Sequence, residues 1–180
     1  GDTHGDFSRF SKGAFPAQKG MTRADCVIIC GDFGGVWNDG AEQQAGLDRL
    51  NDLPFTTLFL DGNHENFDRL LAWPVSPDGL RYLRERVIHL PRGLRWQWGN
   101  TRCLAVGGAY SLDKFLRTPG KTWWPQEMIT PEQARDIAAA GRADVMFCHD
   151  CPTGIVVPGA AADRYGCPPE ELATSEMHRA

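Results

Sequence analysis

Hydrophobic residues along this chain collect in short, nearly continuous runs separated by polar turn residues. Cys26-Val27-Ile28-Ile29-Cys30, Phe55-Thr56-Thr57-Leu58-Phe59-Leu60 and Asp144-Val145-Met146-Phe147-Cys148 are each rich in β-branched or aromatic residues. Runs of this length and composition predict buried strands. Segment 94–106 predicts a hairpin, with Leu94 to Trp98 and Arg102 to Val106 joined by a Gly99-Asn100 turn. Helical patterns fall between these runs. Residues 40–52 set Ala45, Leu47 and Leu50 among charges, and residues 66–72 form a second helical stretch. Residues 131–141 open with Thr130-Pro131-Glu132, which combines a capping residue, a first-turn proline and an acid. Residues 168–177 open in a similar way, with no stop signal before Ala180. Strand and helix alternate around one hairpin, so a layered α/β fold in a single domain, residues 1–180, is expected. The looser stretch at 107–125 predicts a loop.

Composition narrows the function without naming it. With 42% hydrophobic and 23% charged residues the chain has the make-up of a globular domain. A net charge of −4 argues against a sequence-independent grip on nucleic-acid backbone. It leaves room for phosphoester substrates, because bound divalent ions invert the charge locally. No apolar run reaches the length of a membrane span. The start lacks Met and any secretory pattern, and Gly1 opens directly into a motif that normally follows a strand. The expectation is a longer reading frame on that side.

Six cysteines are present: Cys26, Cys30, Cys103, Cys148, Cys151 and Cys167. Four of them lie in or beside apolar runs, which fits free thiols in a reducing cytoplasm better than a disulfide framework. Cys148 and Cys151 have zinc-type spacing, but no second pair accompanies them, which disfavours a structural zinc site.

The chemistry is carried by position. Asp32 follows the first predicted strand, Asn63 and His64 follow the second, and His149 follows the third. Asp2 and His4 stand where an earlier strand would end. Open α/β sheets gather their ligands at the carboxyl ends of strands. Carboxylate, imidazole and amide oxygen suit divalent ions such as Mn²⁺, Fe²⁺ and Zn²⁺, and a carboxylate can bridge two ions about 3.5–4 Å apart. Asp61 reads as a residue closing its strand, His89 as a strand residue and Asp150 as outside the ligand set. Trp123 and Trp124 read as core or loop anchors. Lys114 and Arg117 are candidates for phosphate contact, with solvated surface the favoured reading.

Gly1-Asp2-Thr3-His4-Gly5, Gly31-Asp32, Gly62-Asn63-His64-Glu65 and a strand-terminal His149 resemble, in this order, the motifs of calcineurin-like metallophosphoesterases. Phe33 to Asn38, Gly107-Gly108-Ala109 and Trp123-Trp124-Pro125 are similar to a bacterial and phage subgroup of that family. The resemblance implies a layered β-sandwich flanked by helices, and hydrolysis of a phosphate mono- or diester by a metal-bridging hydroxide. It implies two divalent ions, Mn²⁺ first, with Fe²⁺/Fe³⁺ or Zn²⁺ as alternatives. Asp2 and His4 would hold the first ion, Asp32 would bridge, Asn63 and His149 would hold the second, and His64 would be catalytic. The substrate would be a phosphoester small molecule, a nucleotide or a phosphoprotein.

Two departures stand out. Gly34 and Gly35 occupy the place of an acid that orients the catalytic histidine in many relatives, so His64 is expected to be oriented otherwise. The family's closing Gly-His-x-His is not found after His149, where the remaining histidine is His178, so that segment is expected beyond Ala180. A catalytically inactive binding or scaffold module of the same fold is the alternative. A nucleotide-binding α/β protein is disfavoured, because Gly31 to Gly35 does not match Gly-x-Gly-x-x-Gly.

Overall fold

In the computed structural model residues 1–155 and 168–180 are described. Their elements run β1 (Cys26–Cys30), α1 (Ala41–Asn51), β2 (Thr56–Leu60), α2 (Phe67–Ala72), β3 (Arg81–Arg84), β4 (Val87–His89), β5 (Arg95–Trp98), β6 (Thr101–Val106), α3 (Pro131–Ala139), β7 (Val145–Cys148) and α4 (Pro169–Arg179). One sheet has the order β1-β2-β4-β3 and the other β5-β6-β7. β1, β2 and β4 are parallel, while β3 returns antiparallel to β4. β5 and β6 form the expected hairpin, and β7 pairs parallel to β6.

The unbroken apolar runs are explained by burial on both faces of the first sheet. Ile29, Phe59 and Val87 point into a cluster with Phe33, Leu47, Leu50 and Leu70, which belong to α1, α2 and the loop after β1. Ile28, Cys30, Leu58, Leu60 and Ile88 point the other way, to Ala105, Trp96 and Phe147 of the second sheet. A strand with apolar contact on both sides needs no polar alternation. The chain is therefore a mixed α/β structure, with α1 on one face of the first sheet and the second sheet on the other. Phe33 stacks on Phe59 with ring centroids 3.9 Å apart, which packs the loop after β1 against β2.

The expected helices form at 41–51, 67–72, 131–139 and 169–179. Thr130 and Gln133 make the reciprocal cap of α3, each side chain accepting from the other's backbone N–H at 3.1 and 3.0 Å. The polar strand Arg81–Arg84 lacks an apolar run, so sequence pattern does not predict it. It forms as the edge partner of β4, with a register shift between Tyr82 and Arg84. Cys26, Cys30, Cys103, Cys148 and Cys151 are free thiols, and Cys167 lies outside the described residues. Among the described residues no helix is long and apolar enough to cross a membrane.

Asp61, at the end of β2, closes the strand with a buried ion cluster. Its carboxylate accepts from Arg92 Nε at 2.7 Å and faces His89 Nε2 at 3.1 Å. Burial pushes its carboxyl up, but Arg92 and His89 outweigh burial and hold it well below the usual carboxylate range. Arg92 also donates to the carbonyls of Gln126, Glu127 and Met128. The Asp61 carbonyl accepts from Gly108 N at 2.8 Å. The cluster thus fixes the strand end to the loop after β6. Asp61→Ala leaves two buried bases without their acid, and should lower unfolding free energy in urea by about 3–5 kcal/mol. A loss below about 1 kcal/mol would show that the cluster does not anchor this strand end.

Candidate metal centre

The loops that leave β1 and β2 of the first sheet and β7 of the second converge. β1 delivers Asp32, β2 delivers Asn63 and His64, and β7 delivers His149. The N-terminal segment is pinned beside them by backbone bonds from Asp2 N to Gly31 O, Thr3 N and His4 N to Asp32 O, and Gly5 N to Phe33 O, all near 2.9 Å. Thr3 is buried, and its hydroxyl donates to the Phe33 carbonyl at 2.8 Å.

Among the described residues three non-glycine residues have positive φ: Asp2 at 60°, His4 at 46° and Asp32 at 50°. All three are candidate ligands. Left-handed backbone at an ordinary side chain costs of order 1–3 kcal/mol and concentrates at functional sites. Two glycines make the close approach feasible. A Cβ on Gly31 would lie 2.2 Å from the His149 ring, and one on Gly62 would lie 2.1 Å from the Asp32 carboxylate.

Asp32 is the common member of two side-chain groups. His4, Asp32 and His64 form one, and Asp2, Asp32 and His149 form the other, with the ligand atoms of each group within 4.8 Å of one another. The sequence reading instead paired Asp2 with His4. Asp32 is 3% exposed. One carboxylate oxygen accepts from His64 N at 2.9 Å and faces His149 Nε2 at 3.3 Å, and the other lies 3.6 Å from His4 Nε2. Its ion-pair partners among the described residues are these two histidines, neither of which carries a fixed charge.

His149 is oriented by a second contact. Its Nδ1 lies 2.9 Å from the Cys30 carbonyl, which can only accept, so the proton sits on Nδ1. In the neutral ring Nε2 then presents a lone pair. That lone pair faces Asp32 Oδ1 and, at 3.1 Å, Asn63 Oδ1. Asn63 is held in this sense because its amide donates to Ser111 Oγ at 2.9 Å, and Ser111 donates to Glu127 at 2.6 Å. With the ring neutral, these three acceptors converge on one point, an arrangement that a cation satisfies. The donor set of oxygens and imidazole nitrogens therefore fits a divalent ion.

His64 meets a partner that the sequence reading assigned to solvated surface. Arg117 is half-buried, and its Nη2 lies 2.9 and 2.7 Å from the two ring nitrogens of His64. Asp113 fixes that guanidinium through Nε and Nη2, both at 2.8 Å. Burial lowers the His64 pKa, Asp32 opposes this, and Arg117 lowers it further.

Glu65, beneath the rim, was not singled out from sequence. It is buried and accepts from Phe33 N at 2.7 Å and Gly34 N at 3.1 Å. Burial pushes its carboxyl up to about 8 against those two bonds, with Asp32 and Asp61 adding to the rise. Ser111, Glu127 and Asp113 were also missed as site residues, since no local pattern in 107–127 marks them. His178 stands apart on α4, where its Nε2 accepts from Ile129 N at 3.0 Å. Asp150 likewise lies outside both groups.

No protein-family model, curated protein or solved structure matches this chain.

Proposed function

We propose that this chain is a metal-dependent phosphoesterase of the calcineurin-like metallophosphoesterase kind. The observation that carries the reading is the buried Asp32 carboxylate, shared by two His/Asp groups and paired with no Arg or Lys among the described residues. A buried acid of this sort is stabilised by ions on either side of it. Asp2, Asp32, Asn63 and His149 would hold one divalent ion, and His4 and Asp32 would hold a second beside His64. When bound, such ions supply Lewis-acid polarisation of phosphoryl oxygens and a water of lowered pKa.

The chain's own residues supply positioning and proton transfer. Water attacks phosphorus, the bond from phosphorus to the alcohol oxygen breaks, and phosphate and the free alcohol leave. His64 donates a proton to the departing alcohol oxygen and regains one from solvent, which also takes the proton released by the attacking water. Arg117, held by Asp113, is a positioning residue for that ring and places a fixed positive charge beside the phosphate.

Asp32→Asn should weaken Mn²⁺ binding by at least about 100-fold in calorimetric titration, with the melting temperature retained. His64→Ala should lower turnover of an aryl phosphate by about 10²–10⁴-fold while metal stoichiometry stays at that of the parent. Full Mn²⁺-dependent activity in both variants would overturn the reading, and a parent that binds no divalent ion would favour the scaffold alternative.

Gly31→Ala forces a methyl group into the His149 ring at a φ of +80°, so it should cost about 10–100-fold in metal affinity. Equal affinity in the alanine variant would remove His149 from the ligand set.

Arg117→Gln should lower kcat by about 10–100-fold with metal content unchanged. Arg117→Lys should rescue poorly, because an ammonium cannot reproduce the two-nitrogen grip on Asp113. Full rescue by lysine would reduce the role of Arg117 to charge alone.

A further inference from the structure

The rim group of His4 and His64 opens into a cavity of about 720 Å³ that the hydrolytic reading does not use. Phe7 and Trp37 supply its aromatic walls, and Arg49 and Gly46 of α1 line its far side. Both histidines form part of the lining, so whatever occupies the cavity adjoins the reacting phosphate. Trp37 is held firmly. Its N–H and that of Asn38 donate to Gln43 Oε1 at 2.6 and 2.7 Å, its carbonyl accepts from Asn66, and its ring meets Trp124 edge-on with centroids 5.5 Å apart. A fixed aromatic wall is a preformed binding surface.

Gly46 is the second, independent observation. It lies in the middle of α1, where glycine is the poorest helix former other than proline. Its φ is outside the left-handed region that would require glycine. Packing does not require it either, since a Cβ there would find Phe7 at 3.6 Å and Arg49 at 3.8 Å as its nearest neighbours, both ordinary contacts. Those two neighbours are themselves cavity walls. A side chain at position 46 would therefore grow into the cavity, and the glycine keeps it open.

Resting on the phosphoesterase reading, we propose that this cavity receives the alcohol portion of the substrate. That alcohol carries a flat aromatic ring system, and Gly46 sets the size accepted. The aromatic side chains of Phe7 and Trp37 offer faces for a ring.

The test is binding of two non-hydrolysable probes, naphthylmethylphosphonate and methylphosphonate, to the Mn²⁺-loaded full chain, read by calorimetry. The parent should bind the naphthyl probe at least about tenfold more tightly than the methyl probe. In Gly46→Leu the ratio of the two affinities should fall toward one, with the melting temperature equal to or above that of the parent. If the leucine variant fails to fold, Gly46→Ala, whose added methyl fits at ordinary contact distance, should move the ratio the same way by a smaller factor. Equal affinities in the parent, or a naphthyl preference that stays at the parent's value in the position-46 variants, would overturn the proposal. So would tight binding of a phosphoserine peptide without any naphthyl preference. A naphthyl preference that persists without metal leaves the cavity assignment standing and counts against the metal reading instead.

Discussion

Three acidic side chains are buried at the ends of two neighbouring parallel strands, and the cost of burying them is the constraint around which this end of the molecule is built. Asp32, Asp61 and Glu65 are each no more than 3% exposed. Each is answered differently. Asp61 has Arg92 and His89, and Glu65 has the N–H groups of Phe33 and Gly34. Asp32 has histidines and one backbone N–H, which offset a buried charge far less than a guanidinium does. The imbalance is therefore concentrated on one acid, and that acid faces the rim where His4, His64, His149 and Asp2 converge. Positive charge added there would stabilise Asp32 directly. It would also relieve Glu65, whose carboxyl is pushed up to about 8 partly by the same neighbouring acids.

The backbone around Asp32 bears the cost of this placement. Asp2, His4 and Asp32 all take left-handed angles, and the N-terminal segment is tied to the β1 loop by bonds to Gly31, Asp32 and Phe33. Phe33 then stacks on Phe59, so apolar packing of the first sheet holds the strained loop in place. Core and site are one mechanical unit here: the stack that fills the interior also sets the height of the carboxylate above it.

The ends of the strands were the most legible part of the chain. β1 and β2 announce themselves because contact on both faces demands unbroken apolar runs, and Asp32, Asn63 and His64 follow them closely; β7 has a similar run but leaves Val145 and Met146 exposed, so its expected burial is only partly met. β3 was illegible for the opposite reason, since Arg81–Arg84 takes its conformation from β4 and has no apolar run of its own. The grouping of the side chains was also hidden. Asp2 and His4 are two residues apart, and positive φ at both turns Asp2 toward His149 and His4 toward His64. Arg117 reaches His64 across 53 residues, and Ser111 reaches Asn63 across 48, from a segment whose local pattern says only loop. Contacts of that separation leave no periodic trace in sequence.

The glycine pair at 34 and 35 links the two halves of the proposed chemistry. An acid in this neighbourhood would grip the imidazole of His64 and favour its protonated form. Glycine cannot do so, and neither position has room for more, since a Cβ on Gly34 would lie 2.5 Å from the His4 backbone and one on Gly35 2.3 Å from the Phe33 ring. Orientation of the ring passes to the opposite side, where Arg117 contacts it and Asp113 holds Arg117. Burial lowers the His64 pKa most, Arg117 adds to the fall, and Asp32 and Asp113 oppose it. A ring with a lowered pKa gives up its proton readily. In the proposed reaction a ring of this kind is a ready donor to the departing oxygen, and its place in the cavity lining sets it beside the alcohol that leaves.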